Sequence, residues 1–196
     1  MENSSFLPPE FILFDTEYTT WEGTHERNWS GPNEYREIVQ IGAIRIKGAA
    51  MLEVDSCLLY TKPLKNPILS AYFTELTGIS QETVEKEGLP FAAALDRFKT
   101  WCGETTLYSY GNDGTILEEN CVLIDTRNPF SPSDFSDIRT VFEQNGIDTK
   151  GYISSTIVRA FGKEPTRRGH DALSDARLIL DALHELAVFR KRSAIN

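Results

Sequence analysis

Apolar and polar positions along the chain change rhythm twice. Phe11–Asp15 is a short apolar run closed by an acid, the signature of a buried strand. Glu37–Lys47, rich in Ile and Val, predicts a second strand; Gly48–Ala50 predicts a turn and Met51–Tyr60 a third strand. Short connections make these an antiparallel meander, apart from a long insertion at Tyr18–Glu34 that carries Trp21 and Trp29. From Lys62 onward helical spacing dominates. Pro67–Thr77 and Ser80–Glu87, the latter with Ser80 as N-cap, are helix candidates. Pro90–Cys102 opens on proline and stops at Gly103. Thr105–Tyr110 predicts a strand, Gly114–Leu123 a helix, Pro129–Pro132 a turn and Phe135–Asn145 a helix ended by Gly146. Tyr152–Phe161 and Ala172–Phe189 complete the pattern. Strands first, then helices with one or two further strands, give an α/β fold: a mixed sheet, its first three strands antiparallel, flanked by helices.

Composition narrows the function classes. The 196 residues suit one domain, divided as an N-terminal extension over 1–10, a folded domain over 11–189 and a basic tail over 190–196. Apolar runs are far too short for a bilayer span, and Met1–Glu10 has two acids and no basic residue, unlike a secretory signal. Three widely spaced cysteines, Cys57, Cys102 and Cys121, suit reduced thiols in a cytoplasmic protein better than a disulfide framework or a zinc site; the asparagine sequons at Asn3 and Asn28 are then chance matches. A net charge of −9 argues against a protein that coats nucleic acid through many Lys and Arg contacts. It is compatible with acids that hold divalent cations, or with a ligand that presents few phosphates.

Asp15 and Glu17 lie two apart at the end of the first strand, so their carboxylates share a face. An acid pair capping an exposed strand end is the bland alternative; buried like charges need a cation, and oxygen donors without Cys or His favour Mg²⁺ or Mn²⁺. In the last helix, Leu173, Ala176, Ile179, Leu180, Leu183, Leu186 and Ala187 form one apolar arc, with Asp175 just outside its edge and Asp181 and Glu185 on the opposite face. Asp175 is therefore expected to face the protein. His170 precedes that helix, as a capping residue or as a base. Asp113 follows a strand and opens a helix, either as an N-cap or as a further ligand, with Glu118 and Glu119 as fallback acids.

Taken in order, D-x-E at Asp15–Glu17, an acid after the Gly-Asn turn at Asp113, and H-x-A-x-x-D-A from His170 resemble the DEDDh (DnaQ-like) 3′–5′ exonuclease family of the ribonuclease H-like superfamily. The resemblance spans Phe11 to Leu186, and Leu76–Ile79 (L-T-G-I) is similar to the family's lining of the terminal-nucleotide pocket. Asp171 in place of tyrosine fits the histidine branch. Asn112 stands where the family has a large residue, and Tyr18-Thr19-Thr20 replaces the common Thr-Thr-Gly.

The resemblance implies a metal-dependent 3′–5′ exonuclease that releases nucleoside 5′-monophosphates from the 3′ end of single-stranded RNA or DNA. Asp15, Glu17, Asp113 and Asp175 would hold two divalent cations, Mg²⁺ or Mn²⁺, whose +4 offsets the four carboxylates. His170 would act as base toward the attacking water. Leu76 and the backbone around Thr16 and Tyr18 would bracket the terminal base and sugar. Trp21 or Trp29 could stack on a base, and Arg167, Arg168 or the Arg190–Arg192 tail could meet further phosphates. A hydrolase of very short oligonucleotides and a non-catalytic binding module of the same fold are the alternatives; a homodimer or protein partner is left open.

Overall fold

A computed structural model describes residues 6–193. Its centre is a five-stranded sheet in the order β3-β2-β1-β4-β5. Strands β1 (Glu10–Tyr18), β2 (Ile38–Lys47) and β3 (Leu52–Tyr60) form the expected antiparallel meander. Beyond β1 the sheet is parallel, through β4 (Leu107–Ser109) and β5 (Phe135–Asp137). The helices are α1 (Ala71–Thr77), α2 (Gln81–Glu87), α3 (Phe91–Cys102), α4 (Asp113–Leu123), α5 (Arg139–Gln144) and α6 (Ala172–Ser193). No described helix is long and apolar enough to cross a membrane.

Alternation along β1 divides the core. Phe11 and Leu13 face α6 and pack with Ile44, Ile179 and Leu183, whereas Ile12 and Phe14 face α3 and α4 and pack with Phe98, Ile116 and Leu117. Continuing the alternation, Asp15 and Glu17 belong to the α6 face and Thr16 to the α4 face. The strand thereby addresses two helices with neighbouring polar residues.

Helix α6 lies flush on the sheet. Asp15 pairs with Gly42 across the β1–β2 ladder, and a Cβ on Gly42 would stand 2.1 Å from the Leu173 backbone nitrogen. Only glycine lets the first turn of α6 approach this closely. Buried Gln40 ties the same turn down: its Oε1 accepts from Ala172 N at 2.8 Å and its Nε2 donates to Asp171 Oδ2 at 2.9 Å. Asp171 Oδ1 in turn accepts from Ser174 N at 2.9 Å, in the manner of an N-cap.

Several elements differ from the sequence expectations. Phe135–Asn145 is not one helix: Phe135–Asp137 is a strand and only Arg139–Gln144 is helical. Tertiary context overrides the helical pattern, because Phe135 packs against Phe14 and Phe130, with centroids 5.7 and 5.3 Å away, and β4 needs a partner on its outer edge. Within Tyr152–Phe161 only Ile157–Phe161 is helical, as a 3₁₀ turn. Helix α1 starts at Ala71, where Ser70 Oγ accepts from Phe73 N, and Ser80 caps α2 as anticipated. At the ends, Leu7 is buried in the α6 core, and α6 runs on through Arg190–Arg192 to Ser193. Residues 1–5 and 194–196 of the expected extension and tail lie outside the described residues.

Gly42→Ala forces α6 off β2 and is expected to destabilise the fold by about 1–3 kcal/mol, the usual cost of overpacking. Urea unfolding curves of the two proteins measure this, and an unchanged midpoint would contradict the contact.

Candidate active site

The first turn of α6, the end of β1 and the start of α4 meet in a cavity of about 280 Å³. All eight residues singled out in the sequence line it: Asp15, Thr16, Glu17, Tyr18, Leu76, Asp113, His170 and Asp175. Asp15, Glu17 and Asp175 each offer an oxygen, and these atoms all lie within 4.8 Å of one another. Asp113 stands on the α4 side, where Thr16 holds its Oδ1 with the backbone N–H at 3.1 Å and the hydroxyl at 2.6 Å. Asp113 is the first residue of α4 but caps nothing; Asn112 occupies the cap position. The fallback acids point elsewhere: Glu119 pairs with Arg36 and Glu118 accepts from Asn128 Nδ2 at 2.8 Å.

Asp175 is placed from three sides. Its Oδ2 accepts from Ser154 Oγ at 3.1 Å and from His170 N at 3.3 Å. Gly169 permits the approach, since a Cβ there would stand 2.4 Å from Ser155 Cβ and 3.4 Å from Asp175 Oδ1. The second carboxylate oxygen, Oδ1, is fully buried and accepts no hydrogen bond from any described residue. A buried carboxylate oxygen without a donor is costly, and a cation bound by Asp175 would relieve that cost.

Electrostatics point the same way. Burial, then the neighbouring acids Asp113, Asp175 and Glu17, push Asp15 well above the usual carboxylate range. Glu17 is likewise raised, by burial and then by Asp175, Asp113 and Asp171. Burial lifts Asp113 to about 6 although the Thr16 hydrogen bonds oppose it, and lifts Asp175 to about 7 against the Ser154 and His170 bonds. Such crowding favours the charged forms only when positive charge is supplied. The all-oxygen donor set suits a hard divalent cation.

His170 sits in the left-handed backbone region, with φ of 62°, immediately before Asp171. Burial first, then the Arg168 charge and the neighbouring His25, lower its pKa, so its imidazole is neutral at pH 7 and able to accept a proton. His25, which the sequence reading passed over, reaches the cavity from the long insertion. Trp29 serves that insertion itself, with Nε1 donating to Thr19 O at 3.0 Å and its ring against Tyr18 and His25, 5.4 and 4.7 Å between centroids. Arg167 pairs with Asp181, and Arg168 donates to the Glu75 and Leu76 carbonyls that end α1. Arg139 and Ser154, also in the cavity wall, went unnoticed in the sequence because the strand before Arg139 read as helix and Ser154 lies in an irregular segment.

Comparison with known proteins decides the family. The sequence model of the RNase T group, described as exonuclease, matches residues 12–183. The chain belongs to this exonuclease family. Its fold is that of the DEDDh nuclease domain of 3′hExo bound to rAMP, with a TM-score of 0.75 at 21% identity over 93% of this chain and 92% of that one. Cell-death related nuclease 4 (CRN-4) gives 0.73 at 17% identity, over 92% and 64% of the two chains. Among curated relatives of this exonuclease family, ERI1 exoribonuclease 2 of Xenopus laevis is 33% identical over 91 residues, 46% of this chain and 12% of the relative. The 3′-5′ exonuclease Snipper of Drosophila melanogaster is 37% identical over 95 residues, 46% of this chain and 30% of the relative. Each match thus covers less than a third of the relative's own length.

The raised carboxylates give the metal-free fold a pH dependence of definite sign. An acid whose folded pKa exceeds its unfolded value stabilises at low pH, and that contribution is lost as pH rises through the folded value. For Asp113 and Asp175 the window runs from about 4 to about 6 and 7. His170 works in the opposite sense, as one half-buried group against four acids. Mn²⁺ is therefore expected to raise the melting temperature more at pH 8 than at pH 5.5, where protons compete for the ligands. Thermal melts with Mn²⁺ and with EDTA at both pH values check this; equal shifts would contradict it.

Proposed function

We propose that this protein is a metal-dependent 3′–5′ exonuclease that removes nucleoside 5′-monophosphates from the end of single-stranded RNA or DNA. The observation that carries the reading is the cluster of Asp15, Glu17 and Asp175 oxygens within 4.8 Å of one another, with Asp175 Oδ1 buried and unpartnered among the described residues, beside a neutral histidine. In this reading Asp15, Glu17 and Asp175 hold one Mg²⁺ or Mn²⁺, and Asp15 with Asp113 holds a second. When bound, the ions stabilise the attacking and leaving oxygens of an in-line displacement at phosphorus.

The chain's own groups do the rest. His170 Nδ1 or Nε2 takes the proton from the attacking water. The bond between phosphorus and the upstream 3′ oxygen breaks, leaving a free 3′ hydroxyl on the shortened strand. Leu76 and the backbone around Thr16 and Tyr18 embrace the terminal nucleoside. Burial pushes the Tyr18 hydroxyl up to about 12, so it stays protonated and can donate to sugar or phosphate. The relatives named 3′-5′ exonuclease and exoribonuclease support the polarity. Cys57, Cys102 and Cys121 are free thiols, which favours a reducing, cytoplasmic setting.

A second reading, hydrolysis of very short oligonucleotides, is favoured by one observation: Arg139 is the sole Lys or Arg among the described residues lining the cavity. A non-catalytic binding module is disfavoured, because binding alone gives no reason to gather four acids, three of them buried, in one cavity.

Asp15→Asn and Asp175→Asn are expected to abolish mononucleotide release from 3′-labelled oligomers in Mn²⁺. His170→Ala is expected to slow release by about 10²–10⁴-fold while keeping the Mn²⁺-induced rise in melting temperature. Full activity of Asp175→Asn, or inert wild-type protein on both RNA and DNA, would refute the exonuclease.

A further inference from the structure

The acidic cavity opens in two directions. One mouth passes Leu76 and His170 toward a surface bounded by Glu22, Glu75, Tyr72 and Arg168. On the other side Asn112 is shared with a groove of about 590 Å³ between α4 and β5, bounded by Thr115, Glu118, Asn128 and Ser136. Arg139 stands where the cavity meets this second mouth, beside Asn112.

Its guanidinium is fixed. Nε donates to Asp137 Oδ1 and Oδ2 at 3.0 and 2.8 Å, Nη2 donates to Oδ2 at 2.6 Å, and the Tyr110 ring lies 5.8 Å away. Among the described residues Nη1 has no hydrogen-bond partner, so one edge of the fork remains for a ligand. Asp137 Oδ1 also accepts the backbone N–H of Gly111 at 3.2 Å and of Arg139 at 2.9 Å. Gly111, at φ of 119°, leads directly into Asn112 and Asp113, and the Arg139 guanidinium stands 3.8 Å from where its Cβ would be. One aspartate therefore sets both the turn that delivers Asp113 and the cation that overlooks it.

The two mouths differ in how their arginine and acids are engaged. At the Leu76 mouth Glu22 and Glu75 repel phosphate, and Arg168 is engaged with the carbonyls of α1. At the Asn112 mouth a preorganised guanidinium meets Asn112, Thr115, Asn128 and Ser136; of the two acids in the groove, Asp137 is paired with Arg139 and Glu118 accepts from Asn128 Nδ2. A planar fork with a free edge matches a phosphodiester better than a mobile lysine would. With the terminal nucleoside on Leu76 and its phosphate at the acids, the strand has to leave past Arg139.

We propose that Arg139 binds the phosphate immediately upstream of the scissile one, and that the strand leaves through the groove between α4 and β5. The assignment rests on the exonuclease reading and adds to it: efficient substrates carry at least two phosphates.

Two substrates separate the contributions. The p-nitrophenyl ester of thymidine 5′-monophosphate offers only a scissile phosphate, and a five-residue oligothymidylate offers upstream phosphates. For Arg139→Ala, kcat/KM on the oligomer is expected to fall at least tenfold relative to the ester, chiefly through KM. The salt dependence of log KM should lose about 0.7 in slope, the share of one phosphate contact on a single strand. Arg139→Gln, which retains a hydrogen bond to Asp137, should show the same selective loss, and Arg139→Lys a smaller one. Equal losses on both substrates would assign Arg139 to the scissile phosphate or to scaffolding and overturn the proposal, as would no loss on either. Wild-type protein inert on both would instead refute the exonuclease reading beneath it.

Discussion

The site is arranged around the repulsion among three buried carboxylates, Asp15, Asp113 and Asp175, and the half-buried Glu17. Like charges at this spacing in a low-dielectric setting would drive their elements apart unless each were held by its own anchor. The anchors are visible one by one. Thr16 donates twice to Asp113, Ser154 and the His170 N–H donate to Asp175, and Asp15 lies in the middle of β1, with β2 on one side and β4 ending beside it. Behind Asp175, Gly42 and Gln40 clamp the first turn of α6 to the sheet. None of these contacts neutralises charge. They hold the geometry in readiness, and the neutralisation falls to protons or to divalent cations.

The same frame decides the state of the histidine. His170 takes a left-handed backbone conformation that costs a non-glycine residue energy, and its N–H reaches Asp175 from that conformation. Arg168, anchored on the end of α1, and His25, reaching in from the insertion, both oppose a positive charge on the ring. In the proposed role of base, His170 has to be unprotonated when substrate arrives, and burial with the Arg168 charge secures that at neutral pH. The insertion between β1 and β2 thus acts on the site through His25, while its tryptophan stabilises the loop.

What the sequence disclosed follows from how local each signal is. Asp15 and Glu17 were legible because strand alternation assigns them one face without knowledge of the partner. Asp175 was legible because the helix wheel sets it beside an apolar arc. Asp113 was legible only through order and resemblance, since by local rules it is an N-cap, and the tertiary fact that overrules this reading is a hydrogen bond from Thr16, 97 residues away. The strand β5 was missed for the same reason. Its three residues carry no alternation long enough to detect, and its existence depends on the vacant edge of β4 and the aromatic cluster around Phe14. With β5 misread as helix, Asp137 and Arg139 had no place in the sequence picture, although the structure sets them at the rim of the cavity.

The net charge of −9 then becomes a statement about recognition rather than an objection to it. Seven of the twelve arginines are paired with carboxylates: Arg27 with Glu34, Arg36 with Glu119, Arg45 with Glu10, Arg139 with Asp137, Arg159 with Glu164, Arg167 with Asp181 and Arg177 with Glu53. They form no basic track along which a long strand could be gripped, so non-specific affinity, which depends on the number of phosphates neutralised, has few contributors. Under the proposed function, binding energy would come from the cleft itself: cations at the acids, one oriented guanidinium and the apolar and hydroxyl contacts to a terminal nucleoside. A protein built this way attends to the chain end and its nearest phosphates, and a length of strand beyond them adds little.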